Sequence, residues 1–138
     1  MNVYVDASVI LRVVLREPGV LAAWRSFDRA VSSEIVRVEC LRAIDRARIT
    51  RRVPDAEVAE RRALALELFG ALEMIPLAPS ILERAAEPFP TTLGTIDALH
   101  LASALAVQAQ LAPLTFATHD AELGLAARSV GFAVEGAA

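Results

Sequence analysis

The period of apolar and polar positions changes several times along the chain, and each change marks an element. Residues 2–6 (NVYVD) are a short apolar run closed by an acid, the pattern of a buried strand. Ser8 to about Leu15 can form a helix that Pro18-Gly19 stops. Val20 to about Arg29 reads as a second helix, with Leu21, Trp24 and Phe27 at helical spacing. A short strand is expected over Ala30–Ser33, then an amphipathic helix over Glu34–Arg48, then another helix from Pro54 to about Phe69, since proline suits a first helical turn. Glu73–Leu77 reads as a strand and Ser80–Ala86 as a short helix. PFPTTLG at 88–94 is the clearest loop. Thr95 suits the N-cap of a helix from Ile96 to about Gln110, apolar on nearly every face and therefore buried. Pro113–Thr118 is expected as a strand, Ala121–Arg128 as a helix and Gly131–Val134 as a final strand. Strands separated by helices point to an α/β fold, a parallel sheet with helices on both faces, in a single domain over 1–138.

Composition narrows the class. With 138 residues, 55 % of them hydrophobic and 22 % charged, the chain can bury a core without a metal or disulfide staple. No apolar run is long enough for a membrane span, and Asp6 interrupts the apolar start too early for a signal peptide. The one cysteine, Cys40, cannot pair internally, so a reducing cytoplasm is the expected compartment. All 14 basic residues are arginine. The lack of lysine excludes P-loop phosphate binding and Schiff-base chemistry. Charge is uneven: residues 1–62 carry 12 Arg against 9 acids, and the remainder 2 Arg against 8 acids. The Arg group at 37–62 is either a phosphate-contacting surface or a solvated face paired with Glu57 and Glu60.

The acids fall where an open parallel sheet binds ligands, beyond the carboxyl ends of its strands. Asp6 closes the first strand, Asp120 follows the PLTFAT strand, and Asp97 stands in the first turn of the buried helix, where the helix dipole favours its ionised form. Glu39 lies beside Val36 and Ala43 at the edge of the apolar face of its helix. Asp6 or Ser8, and Thr118 or Asp120, can equally be plain helix caps. If the four acids converge, two carboxylates about 5 Å apart repel by about 3 kcal/mol at an effective dielectric near 20. A hard divalent cation answers that repulsion, and a carboxylate set without thiols or paired histidines favours Mg²⁺ or Mn²⁺ over Zn²⁺. His100 reads as a satisfied core histidine, His119 as a loop residue and Cys40 as a small core residue. No G-x-S-x-G elbow is present. A haloacid-dehalogenase-type phosphatase needs a second Asp where Ser8 stands, and a lysine.

VYVDAS at 3–8, Glu39 within VRVECLRA, TIDALHLASA at 95–104 and FATHDAEL at 116–123 resemble the four motifs of PIN-domain nucleases. The size and the DALHLASA form are most similar to the VapC-type toxins of toxin–antitoxin pairs. The resemblance implies a three-layer α/β/α sandwich around a parallel sheet of four or five strands. It implies a metal-dependent endoribonuclease with an RNA substrate, a cognate protein antitoxin and a homodimeric state. It makes Asp6 and Asp97 the principal Mg²⁺ (or Mn²⁺) ligands and has Asp120 serve the same ion or a second one. Glu39 would hold a water on the metal or orient the nucleophile, and Thr118 and Ser8 would fix the carboxylates. The competing expectations are a non-catalytic PIN-like partner-binding module, and a metal-dependent phosphatase or DNA nuclease using the same acids.

Overall fold

The computed structural model describes residues 1–20 and 26–137. Five parallel strands form one sheet: β1 (Asn2–Val5), β2 (Arg29–Ser33), β3 (Glu73–Ile75), β4 (Leu114–Ala117) and β5 (Ala133–Glu135), in the spatial order β3-β2-β1-β4-β5. The helices are α1 (Ala7–Val14), α2 (Ile35–Thr50), α3 (Asp55–Gly70), α4 (Pro79–Ala86), α5 (Thr95–Val107) and α6 (Ala121–Ser129). This is the expected α/β/α sandwich with a five-stranded sheet.

Side-chain alternation along β1 builds both interfaces. Val3 and Val5 face a core shared with α1, α2 and α3, while Tyr4 faces a second core shared with α4, α5 and α6. Covered on both faces, β4 is buried at every position, as the strands of a parallel sheet must be. The edges are the three-residue β3 and β5, each bearing an exposed glutamate, which discourages further strand pairing. Among the described residues no helix is long and apolar enough to cross a membrane.

Several boundaries differ from the expected ones. β3 stops at Ile75 rather than Leu77, because Pro76 has no N–H to donate and Leu77 N–H turns instead to Glu34 Oε1 at 2.7 Å. The cap of α5 is Gly94, and Thr95 is already helical. Neither residue caps through a side chain, and α5 ends at Val107, short of Gln110. Half of the helix expected over 20–29, residues 21–25, lies outside the described residues; of the rest, Val20 and residues 26–28 are not α-helical and Arg29 belongs to β2.

The strand order decides where a ligand can sit. β1 leads into α1 on one face of the sheet, and its neighbour β4 leads into α6 on the other. The two connections diverge and leave a crevice beyond the carboxyl ends of β1 and β4.

Candidate functional site

Asp6 stands at the end of β1 and caps α1. Its Oδ1 accepts from Ser8 N–H at 3.1 Å, Val9 N–H at 3.4 Å and the Ser8 hydroxyl at 2.6 Å. Its Oδ2 accepts from the Thr118 hydroxyl at 2.7 Å. Four donors aimed at one carboxyl group call for a carboxylate. Burial opposes them: Asp6 is 5 % exposed, and desolvation pushes its pKa above the ordinary range, offset in part by His100 and these hydrogen bonds.

Asp120, beyond β4, caps α6 in the same way, accepting from Glu122 N–H at 2.9 Å and Leu123 N–H at 3.1 Å. Two hydroxyls tie it to Asp6. The Thr118 oxygen that donates to Asp6 accepts Asp120 N–H at 3.0 Å, and the Ser8 oxygen accepts His119 N–H at 2.8 Å. Asp6 and Asp120 are therefore the helix caps and also neighbours across the crevice, while Ser8 and Thr118 cap nothing and bind the carboxylate instead. Gly136 closes the back of this arrangement at φ +93°. A Cβ there would stand 2.6 Å from the Thr118 carbonyl oxygen, so a side chain would push on the strand end that holds Asp6.

Asp97, half-buried in the first turn of α5, has its pKa raised to about 6. Burial is the larger cause; the negative charges of Asp120 and Asp6, and more weakly Glu39, add to it. Asp97 is still mostly ionised at neutral pH, as its place in the first helical turn leads one to expect, but lost water and like charge raise its pKa against the helix dipole.

Glu39 comes from α2, on the opposite layer, and is 24 % exposed. Its Oε1 lies 2.5 Å from His100 Nε2. The other ring nitrogen, Nδ1, lies 2.7 Å from the Tyr4 hydroxyl, which accepts Ser33 N–H at 3.1 Å. His100 is 1 % exposed, and Tyr4 stacks on Phe116 with ring centroids 5.0 Å apart. Sequence reasoning put His100 in the core, correctly, but missed that it reaches Glu39; helical periodicity carries no sign of a partner on another layer. The ring of His119 does less than its place beside Asp120 suggests: its backbone carries the hydrogen bond, and Nε2 is buried without a partner among the described residues.

The donor chemistry fits a hard divalent ion. Burial first, and then the negative charge of the crevice, raise Asp97, and the donors there are oxygens. Cys40 is buried, with burial pushing its thiol far up. Among the described residues no group of three or more His, Cys, Asp or Glu side chains is placed so that together they could hold a metal ion. Mg²⁺ does not need such a cage, because one or two carboxylates, waters and substrate phosphate oxygens complete its shell.

Two surface features bear on substrate. A cleft of about 870 Å³ runs along α4 and the 88–94 loop to the first turn of α5, lined by Phe89, Leu93, Thr95 and Ala98 among others. Three of the eight arginines at 37–62 are in local ion pairs, Arg42 and Arg48 with Asp45 and Arg61 with Glu57; Arg16, outside that group, pairs with Glu60.

Residues 3–127 match the PIN domain. The chain is 32 % identical to "Ribonuclease VapC46" of Mycobacterium tuberculosis (strain ATCC 25618 / H37Rv), covering 96 % of this chain and 95 % of that protein. It is 29 % identical to "Ribonuclease VapC47" of Mycobacterium tuberculosis (strain CDC 1551 / Oshkosh), over 94 % of this chain and 93 % of that one. Its fold superposes on a chain of the crystal structure of VapBC2 from Rickettsia felis bound to a promoter DNA fragment. The TM-score is 0.68 at 14 % identity, over 98 % of both chains.

Proposed function

Because the chain belongs to the PIN-domain family, in its VapC-type branch, we propose that it is a Mg²⁺- or Mn²⁺-dependent endoribonuclease, the toxin of a toxin–antitoxin pair. What supports this reading is the pair of adjacent strand ends at which Ser8 and Thr118 link Asp6 to the segment of Asp120, with Asp97 near enough for negative charge there to help raise its pKa. The names of its relatives, both ribonucleases, support the substrate class.

Asp6 and Asp97 are the principal metal ligands in this reading, with Asp120 on the same ion or a second one. A bound ion would stabilise charge on the scissile phosphate and lower the pKa of water. The chain's own residues do the rest. Ser8 and Thr118 lock the Asp6 carboxylate in one orientation, so both of its oxygens are fixed before substrate arrives. Glu39 Oε1 is committed to His100, which leaves Oε2 to accept a hydrogen bond from the attacking water and aim it in line with the leaving oxygen. A protein antitoxin encoded nearby would block this crevice, and the working form would be a homodimer in the cytoplasm.

Total cellular RNA incubated with wild type and Asp6→Asn, each with Mg²⁺ and with EDTA, tests the reading. Cleavage is expected only from wild type with the metal. Equal cleavage in every lane would overturn the mechanism. No cleavage, and no thermal shift with Mg²⁺ or Mn²⁺, would favour a non-catalytic binding module. Hydrolysis of DNA or a phosphomonoester in place of RNA would move the substrate class.

A further inference from the structure

His100 has both ring nitrogens committed, although it is almost wholly buried. One assignment of protons joins these bonds into a relay. Ser33 N–H donates to the Tyr4 oxygen, and the Tyr4 hydroxyl donates to His100 Nδ1. With Nδ1 accepting, the ring proton is on Nε2 and points at Glu39 Oε1. The relay therefore runs from the backbone at the end of β2, through a side chain of β1 and a side chain of α5, to the acid on α2.

We infer that His100 is a positioning residue: it holds Glu39 through its Nε2–H, and Tyr4 fixes the ring in the tautomer that can do so. Glu39 projects from a helix in the opposite layer, with part of its side chain in solvent, and a free glutamate there would sample several rotamers. The bond from a ring locked in the core selects one. Asp97 and His100 lie three residues apart on α5, on one face of the helix. A single helical turn thus brings one acid to the crevice and the ring that holds another. The effect on rate rests on the ribonuclease reading; the hydrogen bond and the tautomer do not.

Two measurements test it. In the first, two-bond ¹⁵N–¹H correlation spectra of the labelled protein, with His100 assigned by comparison with His119→Asn, should show Nδ1 unprotonated and the proton on Nε2. Glu39→Ala should shift that proton upfield. A protonated Nδ1, or a signal indifferent to Glu39→Ala, would overturn the inference. In the second, cleavage of a fluorogenic oligoribonucleotide is followed in a double-mutant cycle. His100→Leu should lower kcat about ten- to hundredfold with KM nearly unchanged. His100→Gln, whose amide N–H stands near the place of Nε2–H, should recover most of that loss. In a Glu39→Gln background His100→Leu should cost nothing further. Additive losses, or no recovery with Gln from a folded variant, would refute positioning through Glu39. A wild type without metal-dependent cleavage would count against the ribonuclease reading alone, and the spectra would still decide whether His100 holds Glu39.

Discussion

Asp6 and Asp120 are held by their own neighbours in sequence: each accepts N–H bonds from the residues two and three positions on, at the start of the helix it caps. Glu39 is held from far away. Its hydrogen bond reaches 61 residues along the chain to His100, and the next link spans 96 residues to Tyr4. One side of the acid crevice is thus assembled by two local turns stitched together by Ser8 and Thr118, and forms whenever β1 and β4 pair. The other side exists only once the two helical layers have closed over the sheet. A site built this way has a rigid half that places charge and a half whose geometry depends on the packed core.

The comparison predicts that chemistry and stability separate on the local side. Asp6→Asn should lower RNA cleavage about a thousandfold, the scale of several kcal/mol of lost charge stabilisation. Denaturation midpoints should fall only modestly, because asparagine keeps the helix cap but turns one of the two acceptor oxygens into a donor. A large fall in stability would show that the charge, rather than the cap, holds this turn together. Thr118→Val sharpens the point. It leaves Asp6 Oδ2 without its buried donor and Asp120 N–H without its acceptor. A stability loss of about 2 kcal/mol is expected in urea unfolding, along with a ten- to hundredfold fall in kcat at about unchanged KM. Thr118→Ser should restore both. On the long-range side, Tyr4→Phe should cost about 1–2 kcal/mol by orphaning Ser33 N–H. Its effect on cleavage should be smaller than that of Thr118→Val, because Glu39 itself still favours the Nε2–H tautomer of His100 once the Tyr4 hydroxyl no longer reinforces it.

The same division explains what the amino-acid order made legible. The alternation of Val3, Tyr4 and Val5, the apolar surroundings of α5 and the proline-rich 88–94 loop are local signals, and the strands and helices stand close to where they point. So are the acids at strand ends, since a parallel sheet puts its crevice there whatever the side chains. The cap of α5 was misread because Thr95 is the better capping residue by type, yet the loop turns one residue earlier, at Gly94. The raised pKa of Asp97 is not legible in its own helix, because its burial and the charges of Asp120, Asp6 and Glu39 come from other elements packed around it. The link from Tyr4 through His100 to Glu39 left no local trace: each residue alone satisfies the pattern of its own element.

The smallest expected effect tests the crevice as a whole. Asp97 has a folded pKa near 6 against an ordinary value of 3.8, so the folded state binds its proton more tightly than the unfolded chain does. The stability this confers is complete below about pH 4 and is lost as pH rises through 6. At pH 8 the ionised Asp97 therefore burdens the metal-free fold. Full linkage would be worth about 3 kcal/mol, and half-exposure to water cuts this to about 1 kcal/mol. Asp97→Asn should accordingly stabilise the protein in EDTA by about 1 kcal/mol at pH 8 and by nothing near pH 4, read by urea unfolding at the two pH values. Adding Mg²⁺ at pH 8 should reverse the order, since the ion stabilises the carboxylate cluster of wild type and finds one ligand fewer in the variant. A variant no more stable than wild type in EDTA at pH 8 would mean that Asp97 does not share the negative field of Asp6, Asp120 and Glu39. The two sides of the crevice would then be independent, and the long-range half would have no charge to bring to the local one.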